Sequence, residues 1–271
     1  MKYPDIQPPH VIFANLKPGQ HIWLFLDYDG TLADFAPNPD VVQPDAELVD
    51  LLSRLTQHPH IHTAIVSGRR LAHIIALAPI KGIWLAGTYG LEMQTPDGIR
   101  KDVLDYETVR PTLEKLKPDW EKLLGDNQNF YLEDKGWSLA IHARLAGDQE
   151  AENVLAKAGL LSEKYPSENM LHLLGGSKFL EICPVTAAKP EAIDFILEHD
   201  PVPDSIPVYL GDDDKDELAF AAIKQHGGIP IVVAAQERVT QASYRLPSPR
   251  AVRAWLEELL EWLERGLPTD L

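Results

Sequence analysis

The sequence predicts an α/β protein: a Rossmann-like parallel-sheet core with an inserted α+β cap domain. Three observations predict it. Apolar runs without alternation, Ile22–Leu26 first among them, end in polar residues, as strands buried on both faces do. Amphipathic helical stretches stand between these runs, which is the grammar of a parallel sheet. That alternation stops near residue 95 and resumes near 179, with a different pattern between.

The first 20 residues, rich in Pro, read as an extended lead-in. The strand Ile22–Leu26 follows. Pro44-Asp45 then signals a helix start, and Leu48, Leu51, Leu52 and Leu55 fall on one helical face. Ile61–Val66 is the second strand, Leu71–Ala78 a helix and Ile83–Ala86 a strand. The pattern returns late in the chain with a strand at Phe179–Ile182, a helix at Pro190–Glu198 and a strand at Val208–Leu210. A helix at Asp216–Gln225, a strand at Ile229–Val233 and a last helix carrying Val252, Trp255, Leu256, Leu259 and Leu263 complete it. Between these halves, helices at Tyr106–Leu124 and Gln149–Ala158 alternate with strands at Phe130–Leu132, Trp137–Ile141 and Met170–Leu174. The expected organisation is a discontinuous core, residues 1–94 plus 179–271, and a cap, residues 95–178.

Composition narrows the function classes. The 271 residues hold 25 Lys and Arg against 41 Asp and Glu, a net charge of −16. Nucleic acids and anionic membranes need a basic face, so neither is an expected partner. The single cysteine, Cys183, excludes an internal disulfide and a Cys-based zinc cluster, and reads as a small buried apolar residue. Met1-Lys2-Tyr3-Pro4-Asp5 lacks the start of a signal peptide, and no window approaches the roughly 18 apolar residues of a membrane span. The expected address is cytoplasmic.

Ligand-binding groups of an open parallel sheet gather past the carboxyl ends of its strands. Four such ends carry suitable residues. Asp27-Tyr28-Asp29-Gly30-Thr31 sets two carboxylates two residues apart, with a glycine that permits a tight turn and a hydroxyl beyond it. Ser67-Gly68-Arg69 ends the second strand. Lys189 leads a helix after Glu181-Ile182-Cys183-Pro184. Gly211-Asp212-Asp213-Asp214-Lys215-Asp216-Glu217 crowds acids at a strand end, which suits a hard cation held by oxygen. An EF-hand loop is excluded, because Glu217 stands where that loop needs glycine. His58-Pro59-His60-Ile61-His62 has the look of a metal site. Pro59 interrupts it and no carboxylate cluster adjoins it, so it reads as a loop-to-strand junction.

Together the four ends resemble the haloacid dehalogenase superfamily of phosphohydrolases, in order and spacing: Asp27-x-Asp29-x-Thr31, Ser67, Lys189 and Gly211-Asp212-x-x-x-Asp216. Within it the chain looks most like the trehalose-6-phosphate phosphatase family. The stretches that carry this are Leu26–Leu32, Val66–Arg69, Gly211–Glu217, the cap segment Glu133-Asp134-Lys135-Gly136-Trp137-Ser138 running on to His142-Ala143-Arg144, and Leu180–Pro184 leading to Lys189. Tyr89 stands where that family usually has His, and Lys215 where Thr is common. Thr186–Pro190 replaces a usual Gly-rich approach.

The resemblance implies a Mg²⁺-dependent phosphomonoesterase that converts trehalose 6-phosphate to trehalose through an aspartyl phosphate. Asp27 would be the nucleophile and Asp29 the acid, then base. Mg²⁺ would bridge Asp27, the Asp29 backbone carbonyl and Asp212, with Asp213 and Asp216 supporting from behind. Gly30 (through its amide), Thr31, Ser67 and Lys189 would hold phosphoryl oxygens. Glu133, Lys135 and Glu181, with His142 and Arg144, would meet sugar hydroxyls. Asp27, Asp29, Asp212, Asp213, Asp214 and Asp216 are expected to converge on one metal site. A sugar phosphate is the expected partner, with a possible functional link to a sugar-phosphate synthase.

Alternatives stay open at this point. One is a phosphatase for another sugar or for a glycosyl-glycerol or glycerate phosphate. Another is a nucleotide-sugar glycosyltransferase using Asp-x-Asp, which the later acids and Lys189 disfavour. A third is a non-catalytic module that binds sugar phosphate or regulates a synthase. Dehalogenation leaves Asp29 and the metal acids without a use.

Overall fold

In the computed structural model, residues 4, 9–12, 17, 19–35, 42–165, 170–176 and 178–265 are described. Most of the lead-in falls outside them, apart from the short helix α1 (Pro9–Ile12). The first segment then runs β1 (Ile22–Leu26), α2 (Ala46–Gln57), β2 (Ile61–Val66), α3 (Leu71–Leu77), β3 (Trp84–Gly87), β4 (Glu92–Gln94) and β5 (Arg100–Asp102). A 3-10 turn, Thr88–Gly90, links β3 to β4. Next come α4 (Tyr106–Leu124), β6 (Tyr131–Asp134), β7 (Leu139–His142), α5 (Asp148–Ser162), β8 (Leu171–Gly176) and β9 (Phe179–Pro184). The chain closes with α6 (Lys189–His199), β10 (Ile206–Gly211), α7 (Asp216–Gln225), β11 (Ile229–Val233), β12 (Tyr244–Leu246) and α8 (Pro249–Glu264).

Two compact units result: Met1–Lys101 with Lys189–Leu271, and Asp102–Ala188. In the first, the strands lie in the order β12-β11-β10-β1-β2-β3-β4-β5. The strands from β12 to β3 are parallel, and β4 pairs antiparallel with β3. The unbroken apolar run of β1 now has its reason. Ile22, Leu24 and Leu26 pack with α2, α3 and α8, while Trp23 and Phe25 pack with α6 and α7. Successive strand residues face opposite layers, so a strand covered on both faces is apolar throughout. Asp45 caps α2 through the Glu47 and Leu48 amides, and Ser248 caps α8 through that of Ala251. Leu26 is level with both Leu210 and Ile65, so the parallel register brings the carboxyl ends of β10, β1 and β2 to one edge.

The second unit is a four-stranded antiparallel sheet, β6-β7-β9-β8, with two helices. The α4 residues Val109, Leu113, Leu116 and Trp120 are buried, and the Trp120 indole donates to the Ala158 carbonyl of α5 at 3.0 Å. Asp134 turns to α4, where Arg110 and Lys117 hold its carboxylate. Glu133, its strand neighbour, faces the other way, as strand alternation requires.

Two expectations need correction. Phe179–Ile182 was expected as a core strand, but the strand there, β9, pairs with β7 and β8 in the second sheet. Hydrophobic pattern identifies a strand; hydrogen-bond partners decide its sheet. The division between units accordingly falls after Lys101 and Ala188, and not at 94/95 and 178/179. The short strands β4, β5 and β12 were not anticipated. Among the described residues no helix is long and apolar enough to cross a membrane.

Trp120→Ala should destabilise the protein by about 3–5 kcal/mol, since it empties a fully buried site and removes the indole hydrogen bond to the Ala158 carbonyl. The urea-unfolding midpoint of the full chain reads it, and an unchanged midpoint would contradict this packing.

Candidate active site

The loop after β1 places Asp27 on the parallel ladder, its amide donating to the Leu210 carbonyl at 2.9 Å. Asp27 is buried, and its Oδ1 accepts from Lys189 Nζ at 2.8 Å. Lys189, the first residue of α6, is 4% exposed and also donates to Asp216 Oδ1 at 2.5 Å. Asp216 lies fully buried at the start of α7 and is saturated. Tyr209 Oη donates to the same Oδ1, and the Asp212 and Asp213 amides donate to its Oδ2 at 2.9 and 3.0 Å. Gly211 is required for this approach, because a Cβ there would sit 2.4 Å from the Asp216 carboxyl carbon.

Carboxylate oxygens of Asp27, Asp212 and Asp216 lie within 4.8 Å of one another, the one such cluster among the described residues able to hold a metal ion. With Asp216 occupied by four donors, Asp27 and Asp212 are the two that remain to bind. Burial raises the pKa of Asp27 to about 7, and burial with repulsion from Asp27 and Asp216 raises that of Asp212 to about 9. Burial acts on Asp216 in the same sense, but Lys189 outweighs it and holds that carboxyl below the usual aspartate range. Lys189 itself is pushed up, because Asp216 and Asp27 overcome its desolvation. Such a donor set, hard oxygens with too little positive charge, fits a divalent cation.

Not every expected residue converges. The Asp29 carboxylate is taken by Arg69 in a bidentate pair, Nε to Oδ2 at 2.6 Å and Nη2 to Oδ1 at 2.7 Å. Asp214 is exposed and paired with Arg238, away from the cluster. Asp213 accepts the Lys215 and Asp216 amides at 2.8 and 3.2 Å, which spends its carboxylate on the entry to α7. The Gly30 amide, expected to serve a phosphoryl oxygen, donates instead to the Ala33 carbonyl at 2.7 Å. What Gly30 contributes is the lack of a side chain: at φ +80° a Cβ would lie 2.3 Å from Asp212 Oδ2. The Thr31 hydroxyl faces Asp27 and Asp212, 3.4 Å from each. Ser67 is buried at the end of β2, and its Oγ accepts the Arg69 amide at 3.2 Å.

The cap residues gather on one face of the second sheet. Cross-strand register sets Glu133, Ala140 and Glu181 in one row and Tyr131, His142 and Phe179 in the next. The small Ala140 separates the two glutamates. Lys135 Nζ and Ser138 Oγ donate to Glu181 Oε1 at 3.0 and 2.6 Å, and His142 Nε2 pairs with Glu133 Oε2 at 2.9 Å. Burial alone would raise Glu133, but His142 and Lys135 bring it below its usual range. Burial alone would lower Lys135, yet Glu181 and Glu133 raise it. Arg144 is exposed just beyond β7. Cys183 is buried, as expected.

Residues 25–250 match the trehalose-phosphatase family model. The chain belongs to the trehalose-phosphatase family. It is 32% identical over 262 residues to the trehalose-phosphate phosphatase of Mycobacterium avium (strain 104), covering 93% of this chain and 66% of that protein. It thus spans just under two thirds of the length of that curated relative. The fold matches the C-terminal domain of the C. albicans trehalose-6-phosphate phosphatase with a TM-score of 0.82 at 22% identity, over 96% of this chain and 98% of that one. It also matches the C-terminal domain of the Candida albicans trehalose synthase regulatory protein with a TM-score of 0.74 at 13% identity, over 93% and 99% of the two chains.

For this family member, sequence reading assigned no partner to Arg69, although it sits beside Ser67 in a quoted motif. Tyr209 carried no signal, since a tyrosine in an apolar strand looks like core. Gly30→Ala should lower Mg²⁺ affinity at least about tenfold by calorimetry, because the new Cβ displaces the Asp212 carboxylate. The raised carboxyl pKa values carry a second prediction. Between about pH 4 and pH 9 the metal-free native state holds protons that ordinary unfolded aspartates have released, so its stability falls as pH rises. A bound cation displaces those protons, so the rise in Tm on adding Mg²⁺ should be larger at pH 8.5 than at pH 5.5. Equal shifts in thermal scans at the two pH values would contradict it.

Proposed function

We propose that this chain is a Mg²⁺-dependent phosphomonoesterase that converts trehalose 6-phosphate to trehalose and phosphate. The observation that carries this reading is the gathering of Asp27, Lys189 and Asp212 at one sheet edge, with Ser67 and the Asp29–Arg69 pair on the neighbouring strand ends. The family match and the M. avium relative support the substrate.

In the first step a carboxylate oxygen of Asp27 attacks phosphorus in line. The bond from phosphorus to the sugar oxygen breaks, and that oxygen takes a proton from Asp29. In the second step Asp29 takes a proton from water, the water oxygen attacks phosphorus, and the bond to Asp27 breaks to restore the carboxylate. Lys189 pins Asp27 Oδ1 and fixes the orientation of the nucleophile. Arg69 occupies both carboxylate oxygens of Asp29, so donation in the first step requires Asp29 to leave that pair. Ser67 and Lys189 would hold phosphoryl oxygens, with Thr31 supporting Asp27 and Asp212. Mg²⁺, held by Asp27, the Asp29 backbone carbonyl and Asp212, would neutralise charge among the carboxylates and on the phosphoryl oxygens.

Glu133, Lys135, Glu181, His142 and Arg144 are proposed to read the sugar hydroxyls. Paired carboxylates, an ammonium and an imidazole on one sheet face supply both donors and acceptors for such a surface. A synthase-type reaction that makes a phosphorylated disaccharide would supply the substrate. A cytoplasmic address belongs to the same proposal, supported by the single cysteine and the absence of an apolar span among the described helices.

Asp27→Asn should reduce phosphate release at least about 10³-fold with Mg²⁺ present, since the amide cannot form the covalent intermediate. Retained turnover would overturn the nucleophile. A panel of trehalose 6-phosphate, sucrose 6-phosphate and glucosylglycerol phosphate tests the substrate, with the highest kcat/KM expected for the first. A higher kcat/KM for either of the others would overturn trehalose 6-phosphate as the substrate.

A further inference from the structure

One contact at the same sheet edge has no part in the proposed chemistry. Lys215 Nζ donates to Tyr89 Oη at 2.6 Å, and the ammonium lies 4.9 Å from the Tyr89 ring centroid. Tyr89 belongs to the turn after β3, and Lys215 to the loop after β10 that carries Asp212, Asp213 and Asp216. The two positions are 126 residues apart in sequence.

The Tyr89 turn is held in an unusual backbone state. Thr88 and Tyr89 have φ of +47° and +59°, a region that side chains other than glycine seldom enter. Its amides are spent on the Ser67 loop: Thr88 donates to the Arg69 carbonyl at 2.7 Å and Tyr89 to that of Ser67 at 2.9 Å. The ring covers Gly68, where a Cβ would sit 2.7 Å from Tyr89 carbons. The turn is wedged on both flanks, since a Cβ on Gly87 would meet the Leu71 amide nitrogen and one on Gly90 would meet Ala192. Tyr89 therefore grips the Ser67 loop with its backbone and ring, and grips Lys215 with its hydroxyl. Lys215 in turn is tied to the other loop, its amide donating to Asp213 Oδ1 at 2.8 Å. Asp213 Oδ1 also accepts the amide of Asp216, the partner of Lys189, at 3.2 Å.

We propose that Tyr89 and Lys215 are a positioning pair that sets the spacing between the Ser67 loop and the Asp212–Asp216 loop, and thereby the fit of a phosphoryl group between Ser67 and Lys189. This rests on the reading of Ser67 and Lys189 as phosphoryl-binding groups. The pair acts through those residues and not on the reacting atoms. Its loss therefore weakens phosphate binding more than it slows the chemical step.

The test is a double-variant cycle in the full chain with Mg²⁺. Calorimetric titration with inorganic phosphate is read beside kcat and KM for trehalose 6-phosphate and beside the melting temperature. Tyr89→Leu and Lys215→Met should each weaken phosphate binding about tenfold and raise KM by a similar factor, with kcat falling less than about threefold. The double variant should be no worse than the weaker-binding single one, because the two residues act as one link. Lys215→Arg, which keeps the cation, should stay within about twofold of the unaltered chain. Tyr89→Phe keeps the ring over Gly68 and loses the acceptor, so it should show an intermediate loss even if the leucine variant does not fold. Unchanged phosphate affinity in Lys215→Met and Tyr89→Phe, or additive losses in the double variant, overturns the pair. A chain that binds phosphate yet hydrolyses no sugar phosphate overturns the proposed activity, while the phosphate titrations still decide the pair. A chain that binds no phosphate overturns both.

Discussion

Lys189 is the counter-ion around which the core site is built. Three aspartates from two strand ends are crowded within a few ångströms, Asp27 and Asp216 buried and Asp212 half-buried. Taking such charges out of water is costly, and removing one partner of a buried pair commonly costs about 3–5 kcal/mol. Lys189 satisfies Asp27 and Asp216 at once, and the Tyr209 hydroxyl and two backbone amides complete the shell of Asp216. One cation cannot balance three carboxylates. Burial first, and then repulsion among the carboxylates, raises the pKa of Asp27 and Asp212. That imbalance is what the proposed Mg²⁺ would relieve.

The second unit applies the rule on a sheet face. Lys135 answers Glu181, and His142 answers Glu133, so each buried acid has its own partner. Polar groups paired in this way are oriented, and an oriented row of donors and acceptors is what a polyhydroxylated ligand requires. The opposite face gives its one acid, Asp134, to α4, which leaves the helices to cover apolar surface. The division of labour follows from strand alternation alone: Glu133 and Asp134 are neighbours in the chain and serve opposite faces.

Much of this was legible beforehand, for reasons that can be named. The strand ends bearing Asp27, Ser67 and Asp212 were readable because fully buried strands are apolar without interruption, so polar residues at their carboxyl ends stand out. Helix α2 was readable from Leu48, Leu51, Leu52 and Leu55, all of which are buried. Phe179–Ile182 was readable as a strand but not as a member of the second sheet, because its apolar pattern suits either. Arg69 illustrates a different limit. Its pairing with Asp29 spans 40 residues of sequence, and nothing in either local segment announces it.

By itself the sequence determined which residue types stand at which strand ends, and so the chemistry available: two acids and a glycine after β1, a serine after β2, a lysine opening α6, an acidic run after β10. Those are local properties, set by hydrophobic period and turn chemistry. Only the tertiary structure decided which of them meet. It gave the Asp29 carboxylate to Arg69, turned Asp214 out to Arg238 and spent the Gly30 amide on Ala33. It also joined Tyr89 to Lys215 across 126 positions. The reason is the parallel register: it aligns strand ends that are distant in the chain, and the direction each side chain takes there depends on neighbours that no single segment contains.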